Sequence, residues 1–107
     1  MGNWKDINIQ GIARIEKVVG EFIVWELDKT PYGKFKVKII ENLQGTFTGY
    51  PNIELKNKED GSPEWVSGMG QTIDEALEDT LKCFLEMINE REELTEDNFE
   101  WSDRYDF

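Results

Sequence analysis

Thr72-Ile73-Asp74-Glu75-Ala76-Leu77-Glu78-Asp79-Thr80-Leu81-Lys82-Cys83-Phe84-Leu85-Glu86-Met87-Ile88-Asn89-Glu90-Arg91-Glu92 is the stretch of this 107-residue sequence with the clearest helical period. At about 100° per residue, Ile73, Leu77, Thr80, Leu81, Phe84 and Ile88 form one stripe, flanked by Ala76, Leu85 and Met87. Glu75, Glu78, Asp79, Lys82, Glu86 and Asn89 occupy the far side. Thr72 and Glu75 have the spacing of a capping box, which sets the start of the helix. A helix with one apolar stripe must lay it on something. The rest of the chain therefore has to supply a sheet.

Upstream, the period changes from 3.6 to 2. Lys34-Phe35-Lys36-Val37-Lys38-Ile39 alternates strictly, which puts Phe35, Val37 and Ile39 on a buried face and three lysines on the other. Glu21 to Leu27 is a second β-rich run, and the Pro31 and Gly33 turn joins the two. Ile7 and Ile9, then Ile12, Ala13, Ile15 and Val18, extend the strand reading toward the N-terminus. The run from Thr46 to Leu55 is interrupted by Gly49 and Pro51, which predicts a bulge or an edge position. Asp60-Gly61 marks a hairpin-type turn, and Trp65-Val66 is a short final strand. Gly68-Met69-Gly70 reads as a tight strand-to-helix turn. A phosphate loop there is disfavoured because Asp74 and Glu75 fill the first helical turn.

The expected architecture is thus α+β: a four- or five-stranded, mainly antiparallel sheet packed on one face by a single helix, about 72–92. Residues 1–92 form one domain, and 93–107 form an acidic aromatic tail or docked extension. At this length there is room for one core.

Composition narrows the function more by exclusion than by motif. There is no histidine, which removes the commonest general base and every Ser-His or Cys-His arrangement. Cys83 stands alone, so neither an internal disulfide nor a cysteine zinc site is available, and it reads as a structural thiol. No catalytic residue, metal site or cofactor is expected, and the chain is not read as an enzyme. The longest uninterrupted apolar run, Phe22-Ile23-Val24-Trp25, is far short of a membrane span. Met1 to Asp6 shows no secretory pattern, and a cytoplasmic location is the expectation.

Charge is the strongest remaining signal. The chain carries a net charge of −11, with +2 in residues 1–58 and −13 in residues 59–107. Eight acids from Glu90 onward are interleaved with Phe99, Trp101, Tyr105 and Phe107. Two binding surfaces follow. In the leading one, Glu78, Asp79, Glu86 and the tail acids meet a protein partner with a basic surface, and Phe99, Trp101 and Phe107 act as anchors. In the alternative, Lys34, Lys36 and Lys38 hold the phosphates of a single-stranded nucleic acid while Trp25 or Tyr50 stacks on bases, with Tyr32 and Trp65 nearby. The acidic tail would then be autoinhibitory. A third possibility is a structural subunit whose strands in 46–55 pair between copies.

Two resemblances bear on these readings. Gly70-Gln71-Thr72-Ile73-Asp74-Glu75-Ala76-Leu77 resembles the Gly-x-Thr-x-x-Glu-Ala-Leu step of HicB-type antitoxins, where a small three-stranded sheet feeds a capped helix. Tyr105-Asp106-Phe107 resembles the acidic tips of bacterial and phage single-strand DNA-binding proteins, which recruit partners and compete with DNA. Double-stranded RNA-binding domains share the strand-turn-helix order but need basic residues where Asp74, Glu75, Glu78 and Asp79 stand. The expected function is a small, non-catalytic accessory protein of phage or mobile-element type. It would inhibit or regulate a partner as antitoxins, immunity proteins or nucleic-acid mimics do.

Overall fold

The computed structural model describes residues 4–28, 30, 33–57, 59–64, 66–91 and 94–102. Within them, seven strands and one long helix form an α+β fold. Strands β1 (Lys17–Trp25), β2 (Lys34–Glu41), β3 (Phe47–Pro51) and β6 (Gly68–Gly70) make an antiparallel sheet in the order β1-β2-β3-β6. Strands β4 (Ile53–Lys56), β5 (Pro63–Glu64) and β7 (Phe99–Trp101) make a smaller antiparallel sheet with β4 in the centre.

Helix α1 (Ile73–Asn89) packs on β6, β3 and β2. It starts where the capping spacing puts it: Thr72 is extended and its hydroxyl accepts from the Glu75 N–H at 3.1 Å. The Glu75 carboxylate reaches one residue further back than in a simple box, to the N–H of Gln71 at 2.8 Å. The helix ends three residues before the predicted Glu92. At its end the Arg91 N–H turns back to the Ile88 carbonyl, while the Arg91 guanidinium donates to the Lys56 carbonyl at 2.6 Å. Ala76, Thr80, Phe84 and Ile88, each four residues apart, are fully buried, so the apolar stripe centres on this line. They meet Phe35, Val37 and Ile39 of β2, with the Phe35 and Phe84 rings 4.8 Å apart. Ile53, Leu55 and Phe99 extend the same core into the small sheet.

Gly68-Met69-Gly70 is a strand rather than a turn, paired with Gly49, Thr48 and Phe47. Its glycines let the helix backbone lie almost on the sheet. A Cβ at Gly68 would collide with the backbone of Thr80, and one at Gly70 with Glu75 and Ala76. The run 46–55 is neither a bulged nor an edge strand. It divides at Asn52 into β3 and β4, each of which has a neighbour on both sides. Much of this run is thus paired within the chain. Asn52 is the pivot: its N–H donates to the Lys36 carbonyl, its side-chain oxygen accepts from the Lys36 N–H, and its carbonyl accepts from the Ser102 N–H.

The N-terminal strand reading also fails before Lys17. A 3-10 turn at Trp4–Asp6 leads into irregular backbone, and a turn at Gln10 and Gly11 breaks the alternation. There Gly11 takes a φ of 96° and the Ile12 N–H bonds to the Ile9 carbonyl. Ile7, Ile9 and Ile12 are exposed as a result. Among the described residues no helix is long and apolar enough to cross a membrane.

Candidate functional site

Because α1 covers only one face of the four-stranded sheet, the opposite face shows what the pleat puts there. Side chains alternate along each strand and directly opposed residues share a face. Lys34, Lys36 and Lys38 therefore stand in a row on β2, about 7 Å apart at two residues per repeat. Across one side, Trp25 faces Lys34, Ile23 faces Lys36 and Glu21 faces Lys38. Across the other, Tyr50 faces Lys38, and Met69 lies opposite Thr48 at the far edge. Trp25 is 65 % exposed, Met69 61 % and Ile23 59 %, so an apolar and aromatic surface is open to solvent. The charged groups at these paired positions are three lysines and one glutamate, in a chain whose net charge is −11.

Lys34 and Lys36 hold loose partners. The Lys34 ammonium lies 5.1 Å from the centre of the Trp25 ring. Lys36 pairs with Glu21 at 3.5 Å, and both side chains are about half exposed. Ion pairs this exposed contribute little and exchange readily for another anion.

At the end of the lysine row, β7 adds a further ring. Trp101 pairs with Ile53 and shares a pocket of about 300 Å³ with Ile23, Lys34, Phe35, Lys36 and Asn52. Behind it the strand is well anchored. Phe99 is buried opposite Leu55, and the Ser102 hydroxyl donates to the Glu54 carboxylate at 2.9 Å. Burial pushes the Glu54 carboxyl above the ordinary range; the Ser102 hydrogen bond opposes this, and the facing Glu100 adds to it.

The acidic set is differently placed. Glu78, Asp79 and Glu86 all lie exposed on the helix. Asp79 is engaged at home, accepting the Met69 N–H at 2.9 Å and so closing part of the β6 edge. Glu78 pairs with Lys82 one turn on. The two described aromatic anchors do not gather beside them. Phe99 is taken up by the core, Trp101 opens toward the lysines, and Phe107 lies outside the described residues. Tyr32 and Trp65 also lie outside them. Cys83 is half-buried, and burial, reinforced by Asp79 and Glu86, pushes its thiol up, away from thiolate chemistry.

Ile23, Asn52 and Met69 belong to the open face but escaped the reading of the sequence. Phe22-Ile23-Val24-Trp25 is apolar at every position, so nothing in it says which side chains face out. A larger cavity of about 360 Å³ is lined in part by Glu59, Glu64 and Glu90, and its Arg91 is committed to Lys56. It gathers no chemistry comparable to the open face. Set against known proteins, the chain matches no family model, no curated protein and no solved structure.

Proposed function

We propose that this chain is a non-catalytic binding protein that holds single-stranded nucleic acid on the open face of its four-stranded sheet. One observation carries the reading: a row of three lysines flanked on both sides by exposed rings and apolar side chains. Phosphates run along Lys34, Lys36 and Lys38, and bases lie against Trp25 and Tyr50. Such stacking is tolerant of sequence, because every base has a π-face. Direct readout of base edges plays no part.

The affinity should carry the mark of counterion release. Three phosphates neutralised on a single strand give a log–log salt slope of about −2, or roughly a twentyfold loss between 50 and 200 mM salt. The test is a tryptophan-fluorescence titration with a short oligothymidylate at low salt, on the native chain and on Lys34→Ala/Lys36→Ala/Lys38→Ala. Quenching in the native chain, and an affinity at least tenfold weaker in the triple variant, are the expected results. A native chain that shows no quenching at 20 mM salt sinks the proposal.

A second reading is favoured by a different observation, the −13 carried by residues 59–107 and the exposure of Glu78 and Glu86. On it the chain is a regulator or inhibitor of a protein with a basic surface, of antitoxin, immunity or nucleic-acid-mimic type. Glu78→Gln/Glu86→Gln would then weaken partner capture, while the triple lysine variant would leave it intact. The open sheet face is the better supported surface because its rings and its charges coincide.

A further inference from the structure

We propose that the pocket between β2 and β7 is a subsite for one unstacked base, with Trp101 as its stacking ring. The C-terminal strand thereby completes the binding face. The inference rests on the nucleic-acid reading above and adds the position and residue at which one base is held.

The pocket has the composition such a ligand requires. Its volume of about 300 Å³ has room for one base. Trp101 and Ile23 supply flat and aliphatic surface, the stems of Lys34 and Lys36 add to it, and their ammonium groups rest on the Trp25 ring and beside Glu21. A base with its phosphate presents the matching pair of features, a ring and an adjoining negative charge. The position also fits, since the pocket lies at the end of the lysine row, where a strand running along β2 next meets a ring.

Trp101 is held in place from the other side. Ser102, its neighbour, donates its N–H to the Asn52 carbonyl at 2.8 Å and its hydroxyl to Glu54 at 2.9 Å. Phe99, two residues earlier, is buried in the core. Asn52 in turn bonds both backbone groups of Lys36. The backbone beside the ring and the backbone of a lysine of the same pocket are thus fixed to one residue, which lowers the ordering cost on binding.

The test uses the full chain and a fluorescently labelled oligothymidylate at 50 mM salt, read by anisotropy so that removing a tryptophan does not remove the signal. Trp101→Leu keeps an apolar side chain but cannot stack, and it should weaken binding about tenfold or more. Trp101→Phe should stay within about threefold of the native chain, because a ring is restored. The same pair is then measured on an oligonucleotide of abasic sites, where no base can enter the pocket. There the two variants should bind alike, which separates stacking from any general weakening of the fold. Equal affinity of Trp101→Leu and the native chain for oligothymidylate overturns the subsite but leaves the lysine face standing. Equal losses in the Leu and Phe variants, or a Leu–Phe difference that persists on the abasic strand, also overturn it, because Trp101 would then act structurally. A native chain that binds neither strand overturns the nucleic-acid reading and this subsite together.

Discussion

A methyl group added at Gly68 points at the backbone of Thr80, 2.6 Å from its Cα, and one added at Gly49 points at the Thr80 hydroxyl. Thr80 is fully buried, and its hydroxyl avoids the usual cost of a buried polar group by donating to the Ala76 carbonyl at 2.7 Å. Three residues on three elements therefore fit only because two of them lack a side chain. Gly68→Ala forces helix and sheet apart and should cost about 2–3 kcal/mol, the upper part of the range for overpacking. Urea unfolding at 25 °C measures this, and a loss under 0.5 kcal/mol would show that the helix shifts freely on the strand. The same glycines explain a misreading. Gly68-Met69-Gly70 looks like a turn because glycine most often punctuates chains. Its other role, allowing close backbone approach, depends on what lies above it, and Thr80 is twelve residues away.

At the scale of elements, what was legible is what repeats locally. The helix is visible in its stripe and cap, and β2 in the alternation of Phe35, Val37 and Ile39 with three lysines. Those two elements also fix the lysine row of the candidate site. What escaped depends on distant partners. Ile7 and Ile9 alternate like a strand but pair with none, whereas Asn52 ends one sheet and begins another through bonds to Lys36 and Ser102. Trp101 was legible as a binding anchor but not as a neighbour of the lysines, since β7 reaches that side only by pairing with β4. That seam carries its own titration. Glu54 is buried directly opposite Glu100, so its folded pKa lies above the ordinary 4.5. A raised folded pKa means that the folded state holds the proton more tightly. The associated stability is present below about pH 4.5 and lost as pH rises through the raised value. Glu54→Gln keeps an oxygen for the Ser102 hydroxyl and ends the repulsion. Relieving a like-charge cross-strand pair is worth about 0.5 kcal/mol, which raises the melting temperature by roughly 2–4 °C at pH 7. The gain should vanish at pH 4, where Glu54 is already neutral, and an equal gain at both pH values would remove the charge from the explanation.

Over the whole molecule, the proposed binding of a polyanion has to be reconciled with a net charge of −11. Its charges are sorted by side: the exposed acids Glu78 and Glu86 ride on the helix, and the three lysines face the other way across the sheet. The molecule measures 53 × 28 × 20 Å, so even its shortest dimension exceeds the reach of a charge in physiological salt. That reach is about 8 Å at 0.15 M and about 30 Å at 0.01 M. At 0.15 M a strand approaching the open face meets the lysines and is shielded from the helix. At 0.01 M it also feels the acids behind them, and its approach is slowed. Glu78→Gln/Glu86→Gln should therefore speed association about two- to threefold at 10 mM salt and leave it unchanged at 150 mM. Dissociation should not change at either salt, because neither side chain touches the bound strand. Stopped-flow mixing with a labelled oligonucleotide measures both rates. A change in dissociation, or slower association, would place the helix acids in the contact itself and move the working surface from the sheet to the helix.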